Sequence, residues 1–260
     1  MRTVRLLGLE FADMDATAAA KLLAERPGWA PFGFVVTPNA DHLVRLHRQP
    51  ELVPLYRAAR LRLLDSQVVA RAARFIGLDA PHVAPGSDLT SLLLSQHLLP
   101  GERITIIGLR SRYLPALMSR AHLSAVAHYD PPLGFELDSA AMQKAVEFVL
   151  AHPARFIFLA VGSPRQEMLA AAILATGQAS GTGLCVGASL EFVAGHVPRA
   201  PLWMQRAGLE WLHRLSRDPP RLARRYLLDC PLVFPLLLRE FLRIRRSRRI
   251  AAIKAPSRSK

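Results

Sequence analysis

The sequence predicts an α/β fold: a Rossmann-like, mostly parallel sheet with helices on both faces, followed by a basic helical appendage. Three observations carry this reading. Short apolar runs rich in β-branched residues alternate with longer segments of helical spacing. Some of these runs, FIFLAV among them, are apolar throughout, as strands buried on both faces are. The charge is also split along the chain. Residues 1–198 hold 18 Lys/Arg against 16 Asp/Glu, whereas residues 199–260 hold 16 against 4.

The strand candidates, in order, are VRLLGLEF (4–11), FGFVV (32–36), LRLLD (61–65), RITIIG (103–108), AVAHY (125–129), RFIFLAV (155–161) and GLCVG (183–187). Between them, ATAAAKLLAER (16–26), HLVRLHRQPELVPLYRAA (42–59), DLTSLLLSQHLL (88–99) and AMQKAVEFVLAH (141–152) have helical spacing. Such alternation builds a parallel sheet, and ligands then bind beyond the carboxyl ends of its strands. A chain of 260 residues, 51% hydrophobic, suffices for one large core and an appendage. The expected boundaries are a catalytic domain over 1–198, an amphipathic appendage over 199–245 and a disordered basic tail over 246–260. The domain over 1–198 is expected to stay folded without the rest.

The residues after each strand are therefore the ones to read. Thr37-Pro38-Asn39 follows the second run, with Thr37 suited to cap a helix and Pro38 to its first position. Asp65-Ser66-Gln67 follows the third, and Gly108-Leu109-Arg110 closes the fourth. Gly162-Ser163-Pro164-Arg165-Gln166-Glu167 has the form of a capping box, and the loop Pro85-Gly86-Ser87-Asp88 offers similar cap chemistry. Helix starts present free amide donors and hold phosphates well. No GxGxxG or GxxxxGKS string occurs, so no nicotinamide, flavin or P-loop nucleotide cofactor is expected. Asp13-Met14-Asp15 has the form of a metal-holding DxD, but it precedes ATAAAKLL and reads better as a helix cap. The nine His lack ligand spacing, so no metal site is expected. Cys185 and Cys230 belong to no cluster, which fits a reducing compartment. The start has too short an apolar core for a signal peptide.

The strings TPNADHLV (37–44), PGSDL (85–89), VGSPRQE (161–167), VGASLEFVAGHVPRAPLWMQRAGLEWLHRL (186–215) and PPRLARRY (219–226) resemble the WecG/TagA/CpsF family, glycosyltransferase family 26. The resemblance covers about residues 8 to 240 and is most specific from Gly187 to Trp211. It implies an inverting, metal-independent glycosyltransferase. The donor would be a UDP-sugar of N-acetylmannosamine type, its uronic acid, or glucose. The acceptor would be a polyprenyl-diphosphate-linked sugar in the cytoplasmic leaflet of a bacterial membrane, feeding cell-surface polysaccharide. By the same resemblance Asp65 matches the catalytic base, with Thr37 and Asn39 beside it. Gly86, Asp88, Gly108, Gly162, Pro164, Gln166, Glu167 and Arg199 fall at the substrate pocket. Arg214, Arg221 and Arg224 would hold the acceptor diphosphate at the membrane. Family members often look oligomeric. One departure stands out: Asp-Gly-x-Gly is usual after the third strand, and here the chain reads Asp65-Ser66-Gln67-Val68.

Two other classes fit less well. A nucleotide-sugar epimerase needs a glycine-rich dinucleotide turn and a Tyr-x-x-x-Lys pair, and neither is present. A nucleic-acid binder would interleave basic residues with exposed aromatics. The tail instead mixes Arg with Leu, Phe, Val and Ile, a membrane-surface pattern. The expected partners are thus an anionic membrane surface and the two substrates, not nucleic acid. The expected place is cytoplasmic, on the inner face of the plasma membrane.

Overall fold

The computed structural model describes residues 1–254, without the side chains of Arg206, Arg221 and residues 248–254. Its first strands, β1 (Thr3–Leu6) and β2 (Leu9–Ala12), form an antiparallel hairpin apart from the main sheet. The run expected as one strand therefore folds back on itself. Leu7 and Gly8 both take left-handed angles, φ 49° and 82°, the geometry of a tight hairpin turn. A leucine in the first place hides a turn that Asn-Gly would announce. After the hairpin, α1 (Ala16–Ala24) is capped by Asp15, whose carboxylate accepts the Ala18 amide at 2.8 Å.

The main sheet holds β3 (Gly33–Val36), β4 (Leu61–Arg62), β5 (Ile104–Gly108), β6 (Val126–Tyr129), β7 (Phe156–Ala160) and β8 (Thr182–Cys185). Their order is β4-β3-β8-β7-β5-β6, and every pairing is parallel. Side chains alternate between faces, so each strand feeds two cores. Phe34, Val36, Ile157 and Leu159 face one core, while Val35, Phe156 and Phe158 face the other. Beyond Arg62 the chain stays pinned to the end of β3. The Leu63 amide donates to the Val36 carbonyl at 3.0 Å and the Asp65 amide to the Pro38 carbonyl at 2.9 Å.

Helices cover both faces. One face carries α2 (Ala40–Arg48), α3 (Val53–Ala58), α4 (Gln67–Phe75), α7 (Ser139–Ala151) and α8 (Arg165–Ala175), the other α1, α5 (Gly86–Leu92), α6 (Leu114–Arg120) and α9 (Ser189–Val193). The segment 42–59, expected as a single helix, breaks into α2 and α3 around a short turn at Pro50–Leu52, because proline cannot donate to the preceding turn.

The appendage comprises α10 (Leu202–Ala207), α11 (Glu210–Arg217), α12 (Pro219–Ala223) and α13 (Val233–Lys254). It is anchored, not merely attached. Val233 and Leu237 enter the core shared with α2 and α4, and buried Glu240 accepts the Leu7 amide at 2.6 Å. The spacing 233, 237, 240 is one inward face of a helix. Removing everything after residue 198 would uncover that core. Helix α13 also continues through Lys254, where the sequence suggested a disordered tail from 246. The run RRSRRIAA contains mostly good helix formers and no glycine or proline. Residues 255–260 of that expected tail lie outside the described residues. Among the described residues no helix is long and apolar enough to cross a membrane.

Candidate active site

A cavity of about 790 Å³ opens above the carboxyl ends of β4, β3, β8 and β7, roofed by the appendage. Its floor comes from four strand ends: Thr37 after β3, Asp65 after β4, Gly162 and Ser163 after β7, and Val186 and Gly187 after β8. Strands β5 and β6 lie on the far side of β7. Gly108, at the end of β5, is accordingly absent from the lining. A Cβ there would meet the Ala160 carbonyl carbon at 2.7 Å, so its glycine serves strand packing.

Asp65 is the floor's carboxylate. Its amide is held by the Pro38 carbonyl, and its Oδ2 accepts the Gly86 amide at 3.2 Å. Burial pushes its pKa up to about 7. The Gly86 amide opposes that rise, Glu210 adds to it, Arg214 opposes it and Asp88 adds to it. A carboxylate in this condition can hold or release a proton near neutral pH, as a general base must.

Thr37 is buried, and it does not cap a helix. Its Oγ1 lies 3.5 Å from the Cys185 carbonyl. The cap of α2 is Asn39, whose Oδ1 accepts the Asp41 and His42 amides at 3.1 and 3.4 Å. Pro38 therefore precedes the helix and does not start it. With Oδ1 engaged, Asn39 keeps its side-chain Nδ2 as a donor, and the residue lines the cavity. His42 closes the capping box, accepting the Asn39 amide on Nδ1 at 3.3 Å. Burial and then the Arg45 and Arg225 charges hold its pKa down to about 3, so a neutral ring lines the cavity.

The VGSPRQE turn also departs from expectation. The Ser163–Pro164 peptide is cis, and α8 begins without a side-chain cap. Ser163 Oγ instead accepts from Arg45 Nη1 at 3.0 Å and sits 3.1 Å from the Tyr56 hydroxyl. Gln166 lines the cavity and braces two loops. Its Oε1 accepts the Gly187 amide at 2.9 Å, and its Nε2 donates to Glu167 at 2.9 Å. Glu167 is 1% exposed and stands behind Gln166, outside the lining, with burial raising its pKa. Pro164 and Gly86 are likewise behind the wall. A Cβ on Gly86 would sit 2.8 Å from Thr37 Oγ1, so glycine there lets two loops close on Asp65.

Ser66, in place of the first usual glycine, and its neighbour Gln67 have separate tasks. Ser66 caps α4, accepting the Val69 amide at 3.2 Å. Gln67 lines the cavity and meets the roof, where a Cβ on Gly208 would lie 3.3 Å from Gln67 Cβ. Next along α4, Arg71 Nη1 donates to the Ala207 carbonyl at 2.6 Å.

The roof brings arginines over this floor. Arg199 pairs with Asp88 at 2.7 Å. Arg214 lies 5.3 Å from the Phe192 ring centroid and forms no ion pair with a described residue. Arg225 reaches Asp41 at 3.3 Å, and Trp211 and Tyr226 pack together at 6.1 Å beside it. Arg224, one of the arginines expected here, points outward with an 87% exposed side chain, 4.0 Å from Asp229. The side chain of Arg221 lies outside the described residues. His42, Glu210, Trp211, Arg225 and Tyr226 also line the cavity; none was given a site role in the sequence, though all fall within the strings that carry the family resemblance. Asp13 and Asp15 do not line it. Asp13 accepts the His82 amide and ring at 3.0 and 2.7 Å, which lowers its pKa.

The cavity thus combines one proton-accepting carboxylate, several arginines and strand-end polar groups, at the edge where parallel sheets bind ligands. A family model described as Glycosyl transferase WecG/TagA/CpsF family matches residues 4–247, nearly the whole chain, and the chain therefore belongs to this family of glycosyltransferases of cell-surface polysaccharide synthesis.

Proposed function

We propose that the enzyme transfers a sugar, with inversion, from a UDP-sugar to a polyprenyl-diphosphate-linked sugar. The donor sugar is of N-acetylmannosamine type, its uronic acid, or glucose. The observation that carries this is Asp65, a single carboxylate with a pKa near 7 on the floor of an arginine-walled cavity. In one displacement Asp65 takes the proton of the acceptor hydroxyl while that oxygen bonds to the anomeric carbon. The bond from that carbon to the UDP oxygen breaks on the opposite side, and UDP leaves with the electron pair. Arginine guanidinium groups and the Asn39 amide stabilise the negative charge on the leaving diphosphate. Those cations supply the countercharge, so the transfer is proposed to need no metal, and excess EDTA should leave the rate unchanged.

Docking at the inner face of the membrane completes the proposal. The appendage exposes Leu202, Trp203, Leu227, Leu228, Phe234, Leu238 and Leu242. Arg239, Arg243, Arg245 and Arg246 share the exposed side of α13. An apolar groove between α4 and α13, walled by Phe75, Ile76, Phe234 and Leu238, extends this surface. Apolar side chains among arginines suit an anionic interface, where each basic residue adds about 1 kcal/mol.

The test is a screen of UDP-sugars with a short-chain lipid-linked acceptor, following UDP release, with Asp65→Asn as the control. UDP release that requires acceptor and vanishes in the variant supports the reading. Wild-type protein that releases no UDP with any pair would sink it. Flotation with anionic vesicles, comparing wild type with Leu228→Ser/Leu238→Ser, checks the docking.

A further inference from the structure

We infer that one edge of Arg199, formed by Nε and Nη2, is the docking edge for a phosphate group of the substrates, with Asp88 setting its orientation. The inference rests on the glycosyl-transfer reading and deepens it.

Arg199 is held from both ends. Its backbone sits between Pro198 and the Ala200-Pro201 pair that leads into α10, and the Ala200 carbonyl accepts Gln205 Nε2 at 2.6 Å. At the far end, Nη1 meets Asp88 Oδ1 at 2.7 Å. Asp88 itself is in the first turn of α5, its amide bonded to the Pro85 carbonyl at 3.0 Å. The guanidinium plane is therefore fixed before any ligand arrives.

Its two remaining kinds of donor, Nε and Nη2, are buried and have no hydrogen-bond partner among the described residues. In a planar guanidinium these two N–H groups lie along one edge and point the same way, spaced for two oxygens of one oxyanion. Buried charged donors without acceptors are costly. A fold keeps such a pair where something else supplies the acceptors, and Arg199 lines the cavity that would admit it. Lysine could supply the charge but not the paired edge. Phosphate is favoured over carboxylate because the transfer requires charge to be stabilised on a leaving diphosphate. The donor and the acceptor each bring a diphosphate, so the source is a matter for experiment.

Calorimetric titration with UDP on Arg199→Lys and Arg199→Ala, with donor and acceptor KM measured in parallel, provides the test. Arg199→Lys should weaken UDP binding by about tenfold or more despite the retained charge. The unliganded melting temperature of Arg199→Lys should stay within about two degrees of wild type, since its ammonium can still meet Asp88 and the edge bonds nothing without ligand. Asp88→Leu should reproduce much of the loss and Asp88→Asn less of it. Weaker UDP binding assigns the edge to the donor. Unchanged UDP binding with a raised acceptor KM assigns it to the acceptor diphosphate. Both results support a phosphate edge. Arg199→Lys with wild-type UDP affinity and both KM values unchanged would overturn it. So would a loss confined to uronic-acid donors, which would make the ligand group a carboxylate. Wild-type protein that neither binds UDP nor releases it would count against the transfer reading itself, not against this edge alone.

Discussion

The floor and the roof of the cavity are built differently. The floor is a set of strand ends locked by hydrogen bonds: Asp65 to Pro38 and Gly86, Gln166 to Gly187, Asn39 to the start of α2. The roof is a chain of short helices, largely half-exposed, held to the body by ion pairs such as Arg225 with Asp41 and Arg48 with Asp229. A rigid floor can fix a base to within a fraction of an ångström. A roof tied by partly exposed charges can adapt to a lipid surface and to substrate entry. On the proposed function, the difference suits the floor to chemistry and the roof to substrate recruitment.

The strongest way to break that division is Asp65→Asn. Turnover should fall roughly 10²–10⁴-fold, the contribution of a placed general base, while UDP still binds. The same change should stabilise the fold at alkaline pH. The folded pKa of about 7 lies above the ordinary value of 3.8, so the native state favours the protonated acid. That contribution is full below the unfolded pKa and lost as pH rises through about 7. Removing the ionisable group should restore about 4 kcal/mol at pH 8 and little at pH 4, measured by urea unfolding. No loss of turnover would move the base elsewhere.

Leu237→Ala sharpens the comparison next. Leu237 is 1% exposed in the core beneath α2 and α4, so truncation should cost about 2–5 kcal/mol of global stability. A variant whose sheet unfolds at the wild-type urea concentration would show the appendage to be energetically independent. Arg214→Ala tests the division of labour. Loss of one charge-assisted contact, about 1.5–3 kcal/mol, should raise the acceptor KM roughly tenfold to a hundredfold and change UDP affinity less. An equal effect on both would assign Arg214 to the donor side.

The smallest effect is the pH profile. The acidic limb of kcat/KM should reach half its plateau near pH 7, because Asp65 must be ionised to act. The limb should shift in Asp65→Glu. A rate flat between pH 5 and 8 would remove Asp65 from the rate equation.

How legible these two sides were follows from the same contrast. Every main-sheet strand overlaps an apolar run in the sequence, because burial on both faces leaves few alternatives to continuous Val, Ile, Leu and Phe. The floor followed, since polar residues after such runs must lie at one edge. What the pattern could not show was which polar atoms are already engaged. Asn39 caps α2 where Thr37 was expected to, Ser163 meets Arg45 and Tyr56, and Gly108 packs against β7. Those assignments depend on strand order, which periodicity does not encode. The roof was less legible still. Arg224 and Arg225 are indistinguishable as letters, yet one points to solvent and the other lines the cavity, because consecutive side chains on a helical turn project roughly a quarter-turn apart.

The bond from Leu7 to Glu240 joins positions 233 apart in the chain. Its consequence lies in the order of assembly. The hairpin is made at the start of synthesis and must wait for its partner until nearly all of the protein has left the ribosome. A contact between such distant positions pays its loop-closure entropy late and slows the last step of folding. Arg199, Arg214 and Arg225 also emerge after the sheet. On the proposed function, a nascent chain thus carries its base long before its cations, and transfer must await the docking of its final helix.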